Sequence, residues 1–380
     1  MGISTISTLS PPRNNSMPLR RVNIKNLRNV VEATLQPSAR INIIYGKNGS
    51  GKTSILEAIN VLGLGRSFRS FRPKPIINYD ANSLVLFAEI DAPDSPSVIK
   101  VGVEKTRQGD TSIKVNGEPV LSAAKLAENL PILTINPDSF ELINGPPKPR
   151  RQFLDWLSFH VEPRFLPVWR KLQDCLKQRN NLLRHDRIEP FQLRSWDTQL
   201  VGFAEEIDKI RAKSFSPFLD AFNQYTDALG VEGISISYRR GWNEDQSYQD
   251  VLDKNRGIDI QRGYTSSGPH RADIDIKTQS HGVADVLSRG QQKSLVTALV
   301  VAQSRAFKEI TGRQAVFLID DLPSELDFEH QAMLGRWLTD LESQVFVTGV
   351  ERKPLNDMWP ESTRKEIATF HVELGRVNRE

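Results

Sequence analysis

The chain has 380 residues, and 50 basic against 46 acidic side chains leave a formal charge of +4, which permits a nucleic-acid partner without demanding one. At ~150 residues per domain the length implies two or three folding units, and a composition of 38% hydrophobic and 25% charged residues excludes a disordered chain. The single cysteine, Cys175, excludes an intrachain disulfide and a Cys-built zinc site, and no apolar run reaches the ~18 residues of a membrane span.

Residues 1–16 are Ser/Thr/Pro-rich without an apolar core, so they read as a disordered preface rather than a secretory signal, with Met17 as the working start. Leu19–Asn26 alternates as a first strand. Ile41–Tyr45 is a continuous apolar run, the pattern of a buried strand, and leads straight into Gly46. Ser54–Leu62 has helical spacing, with Gly63 as the expected stop. Strands are expected at Ser83–Ile90, Ser97–Lys105 and Thr111–Val115, the last followed by the hairpin pair Asn116-Gly117.

Beyond Gly145-Pro146-Pro147 the periodicity changes. Phe165, Trp169, Leu172, Leu176 and Leu183 form one apolar stripe, and Trp196, Leu200, Phe203, Ile207 and Ile210 form another. Pro190 lies between them, so this region reads as an inserted helical hairpin. Strand character resumes at Ser235–Tyr238. The chain then returns to a helix near Arg289–Ile310, a buried strand Ala315–Ile319, a helix Phe328–Leu341 and strands Gln344–Thr348 and Thr369–Leu374. The expected fold is α/β. Residues 17–135 and 260–380 form a wound lobe, and 136–259 a mainly helical insert with no sustained heptads and hence no long coiled coil.

Gly46-Lys47-Asn48-Gly49-Ser50-Gly51-Lys52-Thr53 fits G-x-x-x-x-G-K-T between a strand and a helix. Glycines let successive backbone N–H groups wrap phosphates at a helix N-terminus. Lys52 is expected on the β- and γ-phosphates and Thr53 on Mg²⁺. A second apolar strand ends in Asp320 and Asp321: the first is placed for the Mg²⁺ shell, the second for the attacking water. ATP is favoured over GTP, because no guanine-reading signature is present.

Leu287-Ser288-Arg289-Gly290-Gln291 is close to the L-S-G-G-Q signature of ABC-type ATPases, and Ser324-Glu325-Leu326-Asp327 resembles their S-x-L-D loop, with Ser324, Leu326 and Asp327 at the matching positions. The order of phosphate loop, signature, acidic strand and D-loop is that of an ABC-type ATPase head, a P-loop NTPase. In that class two heads join head to tail, so Ser288, Arg289, Gly290 and Gln291 would cover the ATP of the partner in an ATP-dependent homodimer. The position of the usual switch histidine holds Thr348. No Gln-loop glutamine is evident; Asn136 and Asp138 occupy that region.

A narrower resemblance rests on Leu27-Arg28-Asn29, Gly65-Arg66-Ser67-Phe68-Arg69, Asn144–Lys148 with Arg150-Arg151, Lys177-Gln178-Arg179-Asn180 and Gly268-Pro269-His270. Together with the nucleotide motifs, these make the chain similar to the RecF family of bacterial recombination mediators, SMC-like heads without the arm. The resemblance implies a cytoplasmic, nucleoid-associated ATPase, slow and DNA-stimulated. It implies binding to double-stranded and gapped DNA, action with RecR and RecO in loading RecA, and no membrane. A rival reading is the ATPase subunit of a transporter acting through a protein partner. Arg66, Arg69, Arg72 and Lys74, interleaved with Phe68 and Phe71, are candidates for DNA phosphate contact, for a solvated basic loop, or for one arginine reaching back to ATP. Lys148, Arg150 and Arg151 form a second candidate cluster, which reads equally as helix-start charge.

Overall fold

The computed structural model describes residues 18–70, 72, 74–92, 97–185, 187–279, 281–321 and 326–380. The expected preface, Met17, Phe71, Ser324 and Glu325 lie outside the described residues. In chain order the strands are β1 (Leu19–Leu27), β2 (Val30–Leu35), β3 (Ile41–Tyr45), β4 (Ser83–Asp91), β5 (Val98–Thr106), β6 (Thr111–Val115), β7 (Glu118–Pro119), β8 (Ile132–Ile135), β9 (Ile234–Arg239), β10 (Asp273–Thr278), β11 (His281–Gly282), β12 (Val316–Ile319), β13 (Val345–Gly349), β14 (Ile367–Glu373) and β15 (Arg376–Arg379).

The described residues divide into two units: those within 18–134, 312–321 and 328–380 form the first, and those within 135–311 with 326 and 327 the second. The first holds an antiparallel sheet of order β2-β1-β4-β5-β6-β7 and a wound sheet of order β15-β14-β3-β13-β12-β8. In the wound sheet β14, β3, β13 and β12 run parallel, so the carboxyl ends of β3, β12 and β13 lie side by side. Ligands of open α/β sheets bind outside such ends. The helix Lys52–Leu64 leaves β3 through the phosphate loop and contacts strands of both sheets. Every residue from Ser54 to Gly63 is buried, which explains why the segment is apolar nearly all round.

This helix runs past Gly63, the expected stop, to Leu64. Gly63 is a packing residue: a Cβ there would lie 2.3 Å from Ile132 Cδ1. Gly65, at φ 68°, is the left-handed cap, its N–H donating to Val61 O at 2.9 Å. The Asn116-Gly117 turn forms as expected, with φ 52° and 87°.

The second unit contains the helices Pro147–Val161, Phe165–Leu182, Pro190–Asn223, Tyr248–Arg262 and Arg289–Thr311, with a small sheet of order β11-β10-β9. Phe165, Leu172, Leu176, Leu200 and Ile207 from the two predicted stripes share one core with Tyr248 and Leu252. The expected boundary at residue 260 moves to 311. Residues 260–311 belong with the helical unit because β10 pairs with β9 along its length and the helix Arg289–Thr311 packs on Pro190–Asn223 and Pro147–Val161. Beneath that core Arg179, fully buried, donates to Asp197 (2.7 Å), Asp259 (2.9 Å) and Thr265 Oγ1 (2.8 Å). None of the described helices is long and apolar enough to cross a membrane.

Candidate nucleotide site

The phosphate loop is wound as its glycines require. Gly46 has φ 154°, and a Cβ there would meet Val372 O at 2.2 Å; Gly51, the helix N-cap, has φ 118°. Lys52 is buried and folds back over the loop, donating from Nζ to Gly46 O (2.7 Å) and Lys47 O (3.0 Å). Burial lowers its pKa, against the attraction of Asp321 and Asp320. Ser50 Oγ is buried within the same loop without a hydrogen-bond partner. Lys47, Asn48 and Gly49 are exposed.

Register brings the acidic strand to this loop. Ile319 pairs with Val347, and Thr348 with Ile44, so residues 320 and 348 emerge beside the phosphate helix. Asp320 Oδ1 accepts hydrogen bonds from Thr53 Oγ1 (3.0 Å) and Thr348 Oγ1 (2.9 Å). Burial raises the Asp320 pKa, while the Thr348 and Thr53 hydroxyls pull it back. Thr348 Oγ1 also accepts the Asp321 N–H at 2.8 Å, and Asp321 sits at φ 52°, a left-handed conformation uncommon for a residue with a side chain. The hydroxyl of Thr348 is thus turned onto the two aspartates.

A cleft of ≈ 430 Å³ opens here, lined by Arg28, Asn29, Gly49, Gly51, Lys52, Thr53, Ser54 and Arg69. The donors converging on it suit a polyphosphate, and the orphaned Ser50 hydroxyl and the paired Thr53 and Asp320 oxygens fit a phosphate-bound divalent cation. Among the described residues no group of three or more His, Cys, Asp or Glu could hold a metal.

Sequence reasoning missed Asn29 as a member of this site. Its Nδ2 donates to Gly49 O (3.0 Å) and its Oδ1 accepts from Ser54 Oγ (3.2 Å). The Leu27-Arg28-Asn29 motif was the available signal. Arg69 borders the cleft, which fits the reading of an arginine reaching back to nucleotide. Arg66, Arg72 and Lys74 are exposed, and Phe68 packs partly against the core.

In the second unit Ser288, Arg289 and Gly290 are exposed and Gln291 is half-buried at the start of their helix. Ser288 Oγ accepts the Gln291 N–H (3.3 Å), and Gln291 Oε1 accepts the Ser288 N–H (3.0 Å), a reciprocal cap. Leu326 is buried and Asp327 exposed. The second basic cluster needs correction. Arg150 is spent on Asp273 (2.7 and 3.1 Å), and Arg151 donates to Ala272 O (3.1 Å), because both point inward from their helix; Lys148 alone of the three is exposed. Asn136 is likewise consumed, capping the short helix Pro137–Phe140 with Ser139.

The family described as "RecF/RecN/SMC N terminal domain" matches residues 18–374. The DNA replication and repair protein RecF of Cellvibrio japonicus is 47% identical over 95% of this chain and 99% of its own. The chain belongs to the RecF family. The protein of the same name from Pseudomonas paraeruginosa is 46% identical over 96% of this chain and 98% of its own. In fold, this member of the family superimposes on a structure of the recombination mediator RecF with ATP at a TM-score of 0.86, with 24% identity over 98% of this chain and 100% of that one. A Pyrococcus furiosus Smc head matches at 0.57, with 15% identity over 96% of each chain. The architecture is that of an ABC-type ATPase head.

Proposed function

We propose that the protein is an ATP-dependent DNA-binding factor of replication and recombinational repair. The observation that carries this reading is the half-site itself: Lys52 and Thr53 on the phosphate loop and the Asp320–Thr348–Asp321 cluster at the neighbouring strand ends, in a chain that aligns with RecF over nearly its full length. Lys52 and the loop N–H groups bind the ATP phosphates. Thr53 and Asp320 would hold Mg²⁺, which supplies charge neutralisation when bound. Asp321 would orient the attacking water.

Ser288 to Gly290, exposed in one copy, and the half-buried Gln291 cover the ATP of a second copy, so ATP drives head-to-tail dimerisation and slow hydrolysis reverses it. The dimer closes on duplex DNA near single-strand gaps through backbone contacts, with Arg66, Arg72, Lys74 and Lys148 as the exposed candidates. With RecR and RecO it promotes RecA loading in the cytoplasm. The test is ATP turnover at fixed salt without DNA, with single strand, with duplex and with gapped duplex. Stimulation by duplex or gapped DNA is expected. A flat response with normal basal turnover would sink the DNA coupling and favour a protein partner. Ser288→Arg is expected to bind ATP and fail to dimerise; a dimer with ATP would reject the signature assignment.

A further inference from the structure

The phosphate helix Lys52–Leu64 is buried between two sheets, yet it carries one carboxylate, Glu57, with none of its surface exposed. A buried carboxylate needs partners. Those of Glu57 come from two separate segments that both reach the nucleotide cleft. Arg28, in the β1–β2 turn, donates to it through Nε and, at 2.8 Å, through Nη2. Ser67 Oγ donates to the same carboxylate.

The Ser67 hydroxyl then accepts the backbone N–H groups of Arg69 (2.9 Å) and Ser70 (3.0 Å). One turn along the helix, Asn60 Nδ2 holds Arg66 O at 2.7 Å. The loop that presents Arg69 is therefore folded onto Glu57. Arg28 and Arg69 both border the cleft with Lys52 and Thr53. Asn29, the neighbour of Arg28, is bonded to the phosphate loop itself.

We infer that Glu57 is a positioning residue of the nucleotide site: it fixes Arg28 directly and Arg69 through Ser67, so that both guanidiniums border the cleft that takes the phosphates. Glu57 itself touches no ligand. The inference rests on the nucleotide reading of the cleft. It also explains why two distant motifs, Leu27-Arg28-Asn29 and Gly65-Arg66-Ser67-Phe68-Arg69, occur together, since both are tied to one buried side chain.

The experiment measures equilibrium affinity for ATP and ADP, with thermal melting, in the full chain. The variants are Glu57→Gln, Ser67→Ala, Arg69→Ala, Ser67→Ala with Arg69→Ala, and Lys52→Ala as the control that abolishes binding. Glu57→Gln and Ser67→Ala are each expected to weaken ATP about tenfold, the range for losing a hydrogen bond to a charged group. In the Arg69→Ala background the effect of Ser67→Ala shrinks, because both act through one guanidinium. ATP affinity equal to wild type in Ser67→Ala, or losses that add in full to Arg69→Ala, overturns the proposal. Ser67→Ala leaves no buried charge unpaired, so it decides the matter if Glu57→Gln does not fold. A wild-type chain that binds no ATP overturns the nucleotide reading beneath it, a distinguishable result.

Discussion

Thr348→Val removes one hydroxyl and almost nothing else. The side chain is fully buried, and valine has nearly its shape. Two interactions go. The hydrogen bond to the Asp320 carboxylate is worth about 1.5–3 kcal/mol, and loss of the Thr348 acceptor of the Asp321 N–H adds about 1–3 kcal/mol. Against this, Asp321 is released from a left-handed conformation that costs about 1–2 kcal/mol, so the net local loss is about 3 kcal/mol. The larger consequence is geometric. Without the Thr348 acceptor Asp321 relaxes toward the right-handed region and takes its carboxylate away from the water it is proposed to orient, and a misplacement of about 1 Å can cost about a hundredfold in rate. We expect kcat to fall about a hundredfold, with ATP affinity within about threefold, because Lys52 and the phosphate loop keep their bonds. Thr348→Ser should restore most of the rate.

The same variant has a pH signature. Burial already raises the Asp320 pKa, so its ionised form costs stability at neutral pH, and that cost is recovered as pH falls through the folded value. Activity is expected to run the other way, since the cation role proposed for Asp320 needs its ionised form. Removing the Thr348 hydroxyl takes away the largest of the contacts that lower this pKa, so the acid limb of turnover moves to higher pH. Single-turnover hydrolysis across pH, with equilibrium nucleotide binding, measures both effects. Wild-type turnover and an unmoved acid limb in Thr348→Val would refute the reasoning.

Two predictions concern the helical unit. Arg179→Met leaves Asp197 and Asp259 buried without their shared cation, a loss of about 3–5 kcal/mol, and should lower Tm by about 10 °C in a thermal melt; an unchanged Tm would mean the carboxylates find other partners. His270 donates from Nε2 to Thr265 O at 3.0 Å, and burial lowers its pKa to about 4, so it stays neutral in the folded chain. The unfolded chain then binds more protons between that value and about 6.5, so stability should rise with pH across the window, by about 3 kcal/mol at most. His270→Gln should flatten this dependence in melts at several pH values; an unchanged slope would assign it to other groups.

The sequence by itself determined the parts whose chemistry is local. Gly46 to Thr53 between an apolar strand and a helix, and Asp320 and Asp321 at the end of another, are legible, because glycine spacing and apolar runs depend on near neighbours. The same holds for the helical hairpin stripes. The tertiary structure decided which polar side chains meet. Arg28 finds Glu57, and Arg150 finds Asp273 across 123 residues, which takes it out of the basic surface. Thr348 proved to face both aspartates only once β13 lay in register beside β12 and β3. Edge strands such as β2, and β10 with its polar alternation, carry weak local signals and form because neighbouring strands accept them. A charged or hydroxyl side chain in sequence is compatible with solvent, a salt bridge or a ligand; the fold selects among these by the burial and the partner it provides.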